Sequence, residues 1–130
     1  MTIRMVFVFF SLMLYSCQND AQTVSSTKVE VLSLEQFRSK IEKSNDIQIL
    51  DVRTPEEWAG GVVKNAKQIN IYDANFMEKV QKEFSKDKPV VVYCQAGVRS
   101  REAAKKLKDS GYKTVYDFSG GYAAWKKGGN

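Results

Sequence analysis

The chain has 130 residues, two cysteines and a formal net charge of +5 from 20 basic and 15 acidic side chains. This length suits one domain with an ordinary core, and the mild positive charge suits anionic small molecules or an acidic partner. The sequence contains no histidine, which excludes a cysteine–histidine pair, a serine–histidine–aspartate triad and any histidine metal site. The lysines are spread along predicted helices rather than clustered with exposed aromatic residues, so we expect no nucleic-acid partner.

Residues 1–16 have the pattern of an export signal. Arg4 is followed by an apolar run from Met5 to Tyr15, which is shorter than the ~20 residues that a membrane-spanning helix needs. The residues Leu14-Tyr15-Ser16-Cys17 resemble a bacterial lipoprotein cleavage box, which predicts a signal peptide over 1–16 and a lipidated Cys17. Residues 17–27 then form a flexible tether, and the folded domain occupies 28–130.

Lipidation of Cys17 would anchor the exported protein to a membrane of a bacterial cell envelope, on the periplasmic side or at the surface. The alternative is that Cys17 is incidental and that cleavage releases a soluble periplasmic protein. Both readings place the folded domain outside the cytoplasm.

The folded part is predicted to alternate strands with helices. Strands are predicted at Val29–Leu32, Ile47–Leu50, Lys67–Ile71, Val90–Tyr93 and Thr114–Phe118. Helices are predicted after the caps Ser33 and Thr54, and at Asn75–Phe84, Arg101–Asp109 and Tyr122–Lys126. Because strands joined through helices form a mostly parallel sheet that is covered on both faces, this order predicts an α/β fold.

Two candidate site segments follow the ends of predicted strands. Asp51-Val52-Arg53 begins where the second strand ends, and Cys94 follows the fourth strand, just before a short loop and a helix. Ligands of open parallel sheets bind beyond the carboxyl ends of the strands. The free N–H groups and the positive dipole end of the following helix favour a thiolate and an anion. Cys94 is therefore the candidate nucleophile.

Three motifs in this order resemble those of single-domain rhodanese proteins, over almost all of Lys28–Lys127. Asp51–Trp58 is similar to the family's Asp-Val-Arg motif with its short helix, Cys94–Ser100 resembles the Cys-x-x-Gly-x-Arg-Ser loop, and Gly120–Trp125 resembles the Gly-Gly-aromatic-x-x-Trp signature. The resemblance implies a rhodanese-like three-layer α/β/α fold with a five-stranded, mostly parallel sheet. It also implies a sulfurtransferase that needs no metal and no organic cofactor.

The resemblance implies that the Cys94 thiolate is the catalytic group. It would take a sulfane sulfur from a small sulfur-containing anion such as thiosulfate, or from a persulfide or polysulfide, and pass it to cyanide or to a thiol, including one on an acceptor protein. The loop is predicted to bind the substrate through Gln95, Ala96, Gly97, Val98 and Arg99. Three residues are interpreted as supporting structure, with a helix cap or a substrate contact equally open for the last: Asp51, Arg53 and Ser100.

The chain departs from the family pattern in two places. Gly61–Ala66 lacks the histidine and proline that the family often has after its short helix, so the packing of that turn is open. Gln95 stands where thiosulfate-using members often have arginine or lysine, which removes a positive charge from the loop and makes thiosulfate a less natural donor. Trp58 and Trp125 are interpreted as core aromatic residues.

Other functions remain to be weighed against sulfur transfer. Four residues separate Cys94 from Arg99, whereas cysteine phosphatases have five, so the tighter loop favours a sulfur atom over a tetrahedral phosphate. A thiol–disulfide oxidoreductase is disfavoured because no second cysteine lies near Cys94. The main alternative is a rhodanese-like binding or sulfur-carrier module that serves a partner protein without turnover. We expect the protein to be a monomer.

Overall fold

The computed structural model describes residues 28–129, in which five strands alternate with five helices. The strands are β1 (Glu30–Leu32), β2 (Gln48–Asp51), β3 (Lys67–Gln68), β4 (Val90–Tyr93) and β5 (Val115–Phe118). The helices are α1 (Leu34–Lys43), α2 (Pro55–Trp58), α3 (Phe76–Glu83), α4 (Val98–Asp109) and α5 (Gly121–Lys127). The predicted signal peptide, the lipidated Cys17 and the tether lie outside the described residues.

The five strands form one sheet in the order β1-β5-β4-β2-β3, and every neighbouring pair is parallel. This confirms the predicted α/β class and the five-stranded parallel sheet. At the carboxyl ends of the three inner strands, Tyr93 pairs with Asp51 on one side and with Phe118 on the other. The segments that follow these strands therefore start at the same level of the sheet.

Strand β4 consists of four consecutive apolar residues, and the reason is that both of its faces are buried. Its successive side chains alternate between faces: Val90 and Val92 belong to the core cluster that α3 and α4 cover, while Val91 and Tyr93 belong to the cluster that α1 and α5 cover. All four are fully buried. A strand buried on both faces needs apolar residues at every position, and this central strand carries Cys94 at its end.

Helix α1 begins at the predicted capping box. The Gln36 N–H donates to Ser33 Oγ at 3.2 Å, and the Ser33 N–H donates to Gln36 Oε1 at 2.8 Å. These two bonds satisfy N–H groups that have no partner within the helix. The cap places Phe37 in the core, where its ring stacks on Phe118 with 4.3 Å between centroids.

The structure corrects two predicted boundaries. Helix α4 begins at Val98 rather than Arg101, because Gly97 has a φ of 99° that turns the chain directly into the helix. Strand β3 ends at Gln68 rather than Ile71, since Asn70 Oδ1 accepts from the Tyr72 N–H at 3.0 Å and closes a turn.

Neither tryptophan is fully buried. Trp58 is half-buried at the end of the four-residue helix α2, which has no buried residue. Trp125 is half-buried and packs against the edge of the core cluster of α1 and α5. The expectation that both are core aromatics holds only in part, because each is half-buried rather than buried.

Candidate active site

Cys94 lies at the end of β4 and its side chain is buried among the core residues. The Gly97 N–H donates to its Sγ at 3.0 Å. Burial by itself would raise the pKa of the thiol. The backbone N–H and the hydroxyl of Ser100, together with the N–H groups of Gly97 and Ala96, outweigh burial and hold the pKa of Cys94 below its ordinary value. The loop therefore favours the thiolate, which is the nucleophilic form.

The loop keeps its N–H groups directed inward because its carbonyl groups are bonded elsewhere. The Cys94 carbonyl accepts from the Tyr122 N–H at 2.8 Å, and the Gln95 carbonyl accepts from the Ala123 N–H at 3.1 Å. These donors come from the first turn of α5, where N–H groups have no partner within the helix. Gly121 allows this close approach, since a Cβ there would lie 2.5 Å from the Cys94 carbonyl oxygen.

Arg99 is in the first turn of α4 and forms a two-pronged ion pair with Glu57 of α2. Its Nη1 donates to Glu57 Oε2 at 2.7 Å, and its Nη2 donates to Oε1 at 2.6 Å. The hydrogen bond from Arg99 lowers the pKa of Glu57 to about 2, and the same bond raises the pKa of Arg99. The positive charge of Arg99 beside the thiol is thus already balanced by a protein carboxylate.

Asp51 and Arg53 form a buried pair behind the loop. Both are almost inaccessible, and Arg53 Nη2 lies 2.7 Å from Asp51 Oδ2. Burial opposes the charge of Arg53, but the hydrogen bond and the charge of Asp51 outweigh it, so the pKa of Arg53 is raised. Arg53 also donates to the Gly61 carbonyl at 2.7 Å and to Gln95 Oε1 at 3.4 Å. The pair thereby connects the turn after α2 to the cysteine loop.

Tyr93 completes this buried network. Its hydroxyl donates to Asp51 Oδ2 at 2.6 Å and accepts from the Val63 N–H at 3.0 Å. Burial and the neighbouring Asp51 carboxylate raise the pKa of Tyr93, so the phenol remains protonated and keeps donating. The turn that lacks the family's histidine and proline is held here through the backbone of Val63.

Ser100 is fully buried in the first turn of α4, three residues after the helix cap Gly97. Its hydroxyl donates to Asp117 Oδ1 at 2.7 Å and lies 3.2 Å from the Gly97 carbonyl oxygen. Asp117, on β5, is 2% exposed. Ser100 is thus within the helix rather than its cap, and its hydroxyl is bonded to a buried carboxylate.

All of the predicted loop residues follow Cys94 in one loop and the first turn of α4, but their side chains point to different surroundings. Gln95 is half-buried against Arg53, Ala96 is exposed, and the Val98 side chain is 80% exposed. The backbone groups of Ala96 and Gly97, and the backbone and hydroxyl of Ser100, lower the pKa of the thiol.

Sequence reasoning missed three members of the site. Glu57 was interpreted only as a favourable residue of a helix start, Tyr93 only as part of a strand, and Asp117 was not singled out. An acidic residue in an otherwise apolar strand, Val115-Tyr116-Asp117-Phe118, is the signal that could have identified Asp117, because a buried carboxylate requires a partner.

No helix among residues 28–129 is long and apolar enough to cross a membrane. Within the same range, no three histidine, cysteine, aspartate or glutamate side chains converge into a group that could hold a metal ion.

The fold and the site together define a class of protein: a parallel α/β domain with a cysteine loop that stabilises an anion at the carboxyl edge of its central strand. The family model of the rhodanese-like domain matches residues 33–128. The chain therefore belongs to the family of rhodanese-like domains.

Named relatives agree with this assignment. A sulfurtransferase of Allochromatium vinosum is 32% identical over 101 residues, which cover 78% of this chain and 92% of that protein. Thiosulfate sulfurtransferase 18 of Arabidopsis thaliana is 37% identical over 113 residues, with 78% and 83% covered. The solution structure of a homodimeric polysulfide-sulfur transferase from Wolinella succinogenes has a TM-score of 0.66 at 29% identity and covers 81% of this chain and 78% of that one.

Proposed function

We propose that this protein is a rhodanese-type sulfurtransferase that works through a persulfide on Cys94. The observation that carries the proposal is the position of the Cys94 thiol, which accepts from the Gly97 N–H at 3.0 Å and has its pKa held down despite burial. A sulfur atom added to Sγ would carry its negative charge among the same N–H groups. The sulfurtransferases among the relatives support the same reaction class.

The reaction has two displacements that balance without a cofactor. The Cys94 thiolate attacks the outer sulfur of the donor, and the donor's sulfur–sulfur bond breaks, releasing sulfite from thiosulfate or a thiolate from a persulfide. Cys94 is left with an added sulfur that bears the negative charge. A thiol or cyanide then attacks this outer sulfur, the bond to Sγ breaks, and the Cys94 thiolate is restored.

Charge at the loop favours a persulfide or polysulfide over thiosulfate as the natural donor. Arg99 is paired with Glu57, Arg53 is paired with Asp51, and Gln95 is neutral. Thiosulfate carries two negative charges, and neither arginine beside the loop is free to neutralise the second. A persulfide anion carries one, which suits a site whose own donors are backbone N–H groups.

A second candidate function is a binding or sulfur-carrier module for a partner protein. Two exposed large apolar side chains favour it: Val98, in the first turn after the loop, is 80% exposed, and Tyr72 is 70% exposed. Such residues are suited to contact with another protein. An acceptor protein that presents a thiol to Cys94 is compatible with both functions; only turnover separates them.

The test is the intact mass of the purified full-length protein after incubation with thiosulfate or with an organic persulfide. We expect Cys94 to gain one sulfur atom and to lose it when cyanide or a thiol is added, while Cys94→Ser gains none. A gain without loss to any acceptor supports the module. No gain from either donor contradicts the sulfurtransferase proposal, and hydrolysis of a generic phosphate ester would replace it with a phosphatase.

We also propose that the protein acts as a monomer that is exported and anchored to the bacterial cell envelope through a lipid on Cys17. The apolar run ending in Leu14-Tyr15-Ser16-Cys17 supports this location. Labelling with a fatty-acid analogue in a bacterial host should mark the wild type and leave Cys17→Ser unmarked. Equal labelling of the two proteins would contradict the anchor.

A further inference from the structure

The surface around the thiol loop carries positive charges that the proposed reaction does not use. Cys94 is 1% exposed, so a protein that collects its sulfur must lie against the residues beside the loop. Two helices border the loop: Gly97 leads directly into α4, and the Gln95 carbonyl accepts from the Ala123 N–H of α5 at 3.1 Å. The exposed sides of α4 and α5 are therefore the surface that a large acceptor meets.

Each of these helices has a buried side and an exposed side. In α4, Val98 and Arg101 are three residues apart and share the exposed side of the first turn. In α5, Ala123 shares the exposed side with Lys126 and Lys127, which follow three and four residues later. We name the following residues the entrance surface: Ala96, Val98, Arg101, Ala123, Lys126 and Lys127.

The entrance surface has apolar residues next to the loop and cations further out. Ala96 and Ala123 are exposed, and Val98 is 80% exposed. In the part of the chain that the structure describes, none of the three cations of this surface forms an ion pair. An apolar centre with a polar rim is the usual arrangement of a protein-binding site.

The acidic residues of the two helices do not balance these cations. Both acidic residues of α4 are paired with other lysines, Glu102 with Lys106 and Asp109 with Lys105, and α5 has no acidic residue. Helix α2 adds one exposed carboxylate, Glu56, which forms no ion pair among residues 28–129. The surroundings of the loop thus keep an excess of positive charge, which attracts an acidic partner and repels a basic one.

We propose that the entrance surface binds an acidic segment of a protein that accepts sulfur from Cys94. The acceptor's cysteine lies over Ala96 and Val98, and its aspartate or glutamate residues lie against Arg101 and the two lysines of α5. The acceptor thiol loses its proton to solvent, its thiolate attacks the outer sulfur of the Cys94 persulfide, and the bond from that sulfur to Sγ breaks. This names the partner of the proposed sulfur transfer and rests on that function for its reaction, but not for its binding.

The cations also offset a cost that acidic residues bring to the acceptor. Carboxylates beside a cysteine raise the pKa of its thiol and so reduce the fraction of thiolate, the reactive form. On the entrance surface these carboxylates are neutralised by Arg101, Lys126 and Lys127. An acidic acceptor is therefore more reactive when it is bound here than in solution.

The test compares three cysteine peptides that differ only in the residues beside the cysteine, which are glutamate, serine or lysine. Purified full-length protein is loaded with an organic persulfide, each peptide is added at low salt, and the loss of sulfur is followed by intact mass. Each rate is divided by that peptide's rate with an uncharged disulfide, which removes differences in thiol pKa.

We expect the acidic peptide to react about tenfold faster than the neutral one and the lysine peptide to be slowest, with the differences lost in high salt. Equal rates at low salt, or a fastest lysine peptide, would overturn the proposal.

Two double variants locate the effect. Lys126→Gln with Lys127→Gln should bring the acidic peptide to within about threefold of the neutral one. Lys86→Gln with Lys113→Gln removes the same charge at the opposite edge of the sheet, before β4 and β5 begin, and should keep the tenfold preference. Arg101→Gln should also weaken the preference, while every variant keeps the wild-type rate with uncharged 2-mercaptoethanol. Equal losses of preference in the two double variants would overturn the proposal.

Binding without transfer separates this proposal from the sulfur-transfer proposal. The same peptides, labelled with a fluorophore and carrying serine in place of cysteine, are titrated with the protein and followed by anisotropy. The acidic peptide should bind at least about fivefold more tightly than the neutral one, and Lys126→Gln with Lys127→Gln should remove this difference. If Cys94 takes up no sulfur but this preference holds, sulfur transfer fails and the docking proposal stands.

Equal affinities for the peptides overturn the docking proposal alone. Vesicles that contain phosphatidylglycerol distinguish a membrane from a protein partner. If the peptides bind equally and the double variant of α5 loses binding to these vesicles, the entrance surface contacts a membrane and the proposal is wrong.

Discussion

Glu57 accepts a hydrogen bond from each Nη atom of Arg99, at 2.7 Å to Oε2 and 2.6 Å to Oε1. This ion pair connects the start of α4 to the short helix α2. Glu57 also accepts from the Thr54 N–H at 2.9 Å. One carboxylate therefore caps α2 and anchors the arginine of the cysteine loop. This arrangement makes Arg99 a structural brace as well as a charge near the thiol.

We expect Glu57→Gln to lower the free energy of unfolding by about 1 kcal/mol at neutral pH, the scale of a partly exposed ion pair with good geometry. The pKa of Glu57 is lowered from 4.5 to about 2, so its contribution is complete above about pH 4.5 and is lost as the pH falls towards 2. Urea unfolding at a series of pH values measures the difference between the two proteins.

The matched control is Glu56→Gln, which changes an exposed carboxylate in the same turn of α2. Both variants alter the helix dipole interaction equally, so only Glu57→Gln should show a difference that closes between pH 4.5 and 2. A pH-independent difference for Glu57→Gln would show that the ion pair with Arg99 is not its source.

Asp51→Asn should be far more damaging than loss of a surface ion pair. It leaves the Arg53 guanidinium, 1% exposed, without its countercharge, and the loss of one partner of a buried pair costs roughly 3–5 kcal/mol. Asp109→Asn removes an exposed partner of Lys105 and should cost less than about 1 kcal/mol. Urea unfolding compares them, and similar costs for the two variants would contradict the assigned role of the buried pair.

Gly121→Ala should distort the cysteine loop. A Cβ at this position would lie 2.5 Å from the Cys94 carbonyl oxygen and 2.6 Å from that of Gln95, so the loop would have to move. We expect slower persulfide formation, measured by intact mass against time.

The control for backbone conformation is Gly111→Ala. Gly111 also has a positive φ, of 88°, but no atom lies within 4 Å of the added Cβ. It should lose about 1–2 kcal/mol of stability from the left-handed backbone alone and keep the wild-type rate. Equal rates for the two variants would show that the close approach of α5 does not shape the loop.

Gln95→Lys should raise kcat/KM for thiosulfate by about tenfold, because ~1.4 kcal/mol of attraction is a modest share of what a nearby opposite charge supplies. The gain for a singly charged persulfide should be smaller. Gln95→Met removes the hydrogen bond from Arg53 without adding a charge. Steady-state kinetics with both donors separate the two effects, and an equal change in Lys and Met variants would rule out charge as the determinant.

Most of the fold could be predicted from sequence patterns that extend over only a few residues. The capping box at Ser33, the proline at the start of α2 and the buried run Val90–Tyr93 each act within a few residues, so they could be read directly. Boundaries were less predictable. The start of α4 depended on the left-handed backbone of Gly97, and the end of β3 on a side chain of Asn70 that closes a turn.

The candidate site also has a part that the sequence predicts and a part that only the tertiary structure shows. The amino-acid sequence by itself determined an α/β domain, the placement of Cys94 between a buried strand and a helix, and the absence of any histidine to assist it. Only the tertiary structure decided that Glu57 neutralises Arg99 and that the Ser100 hydroxyl donates to the buried Asp117 carboxylate. The physical reason is distance: these partners are 42 and 17 residues apart in the chain, and parallel strands with their connecting helices bring them together at one edge of the sheet.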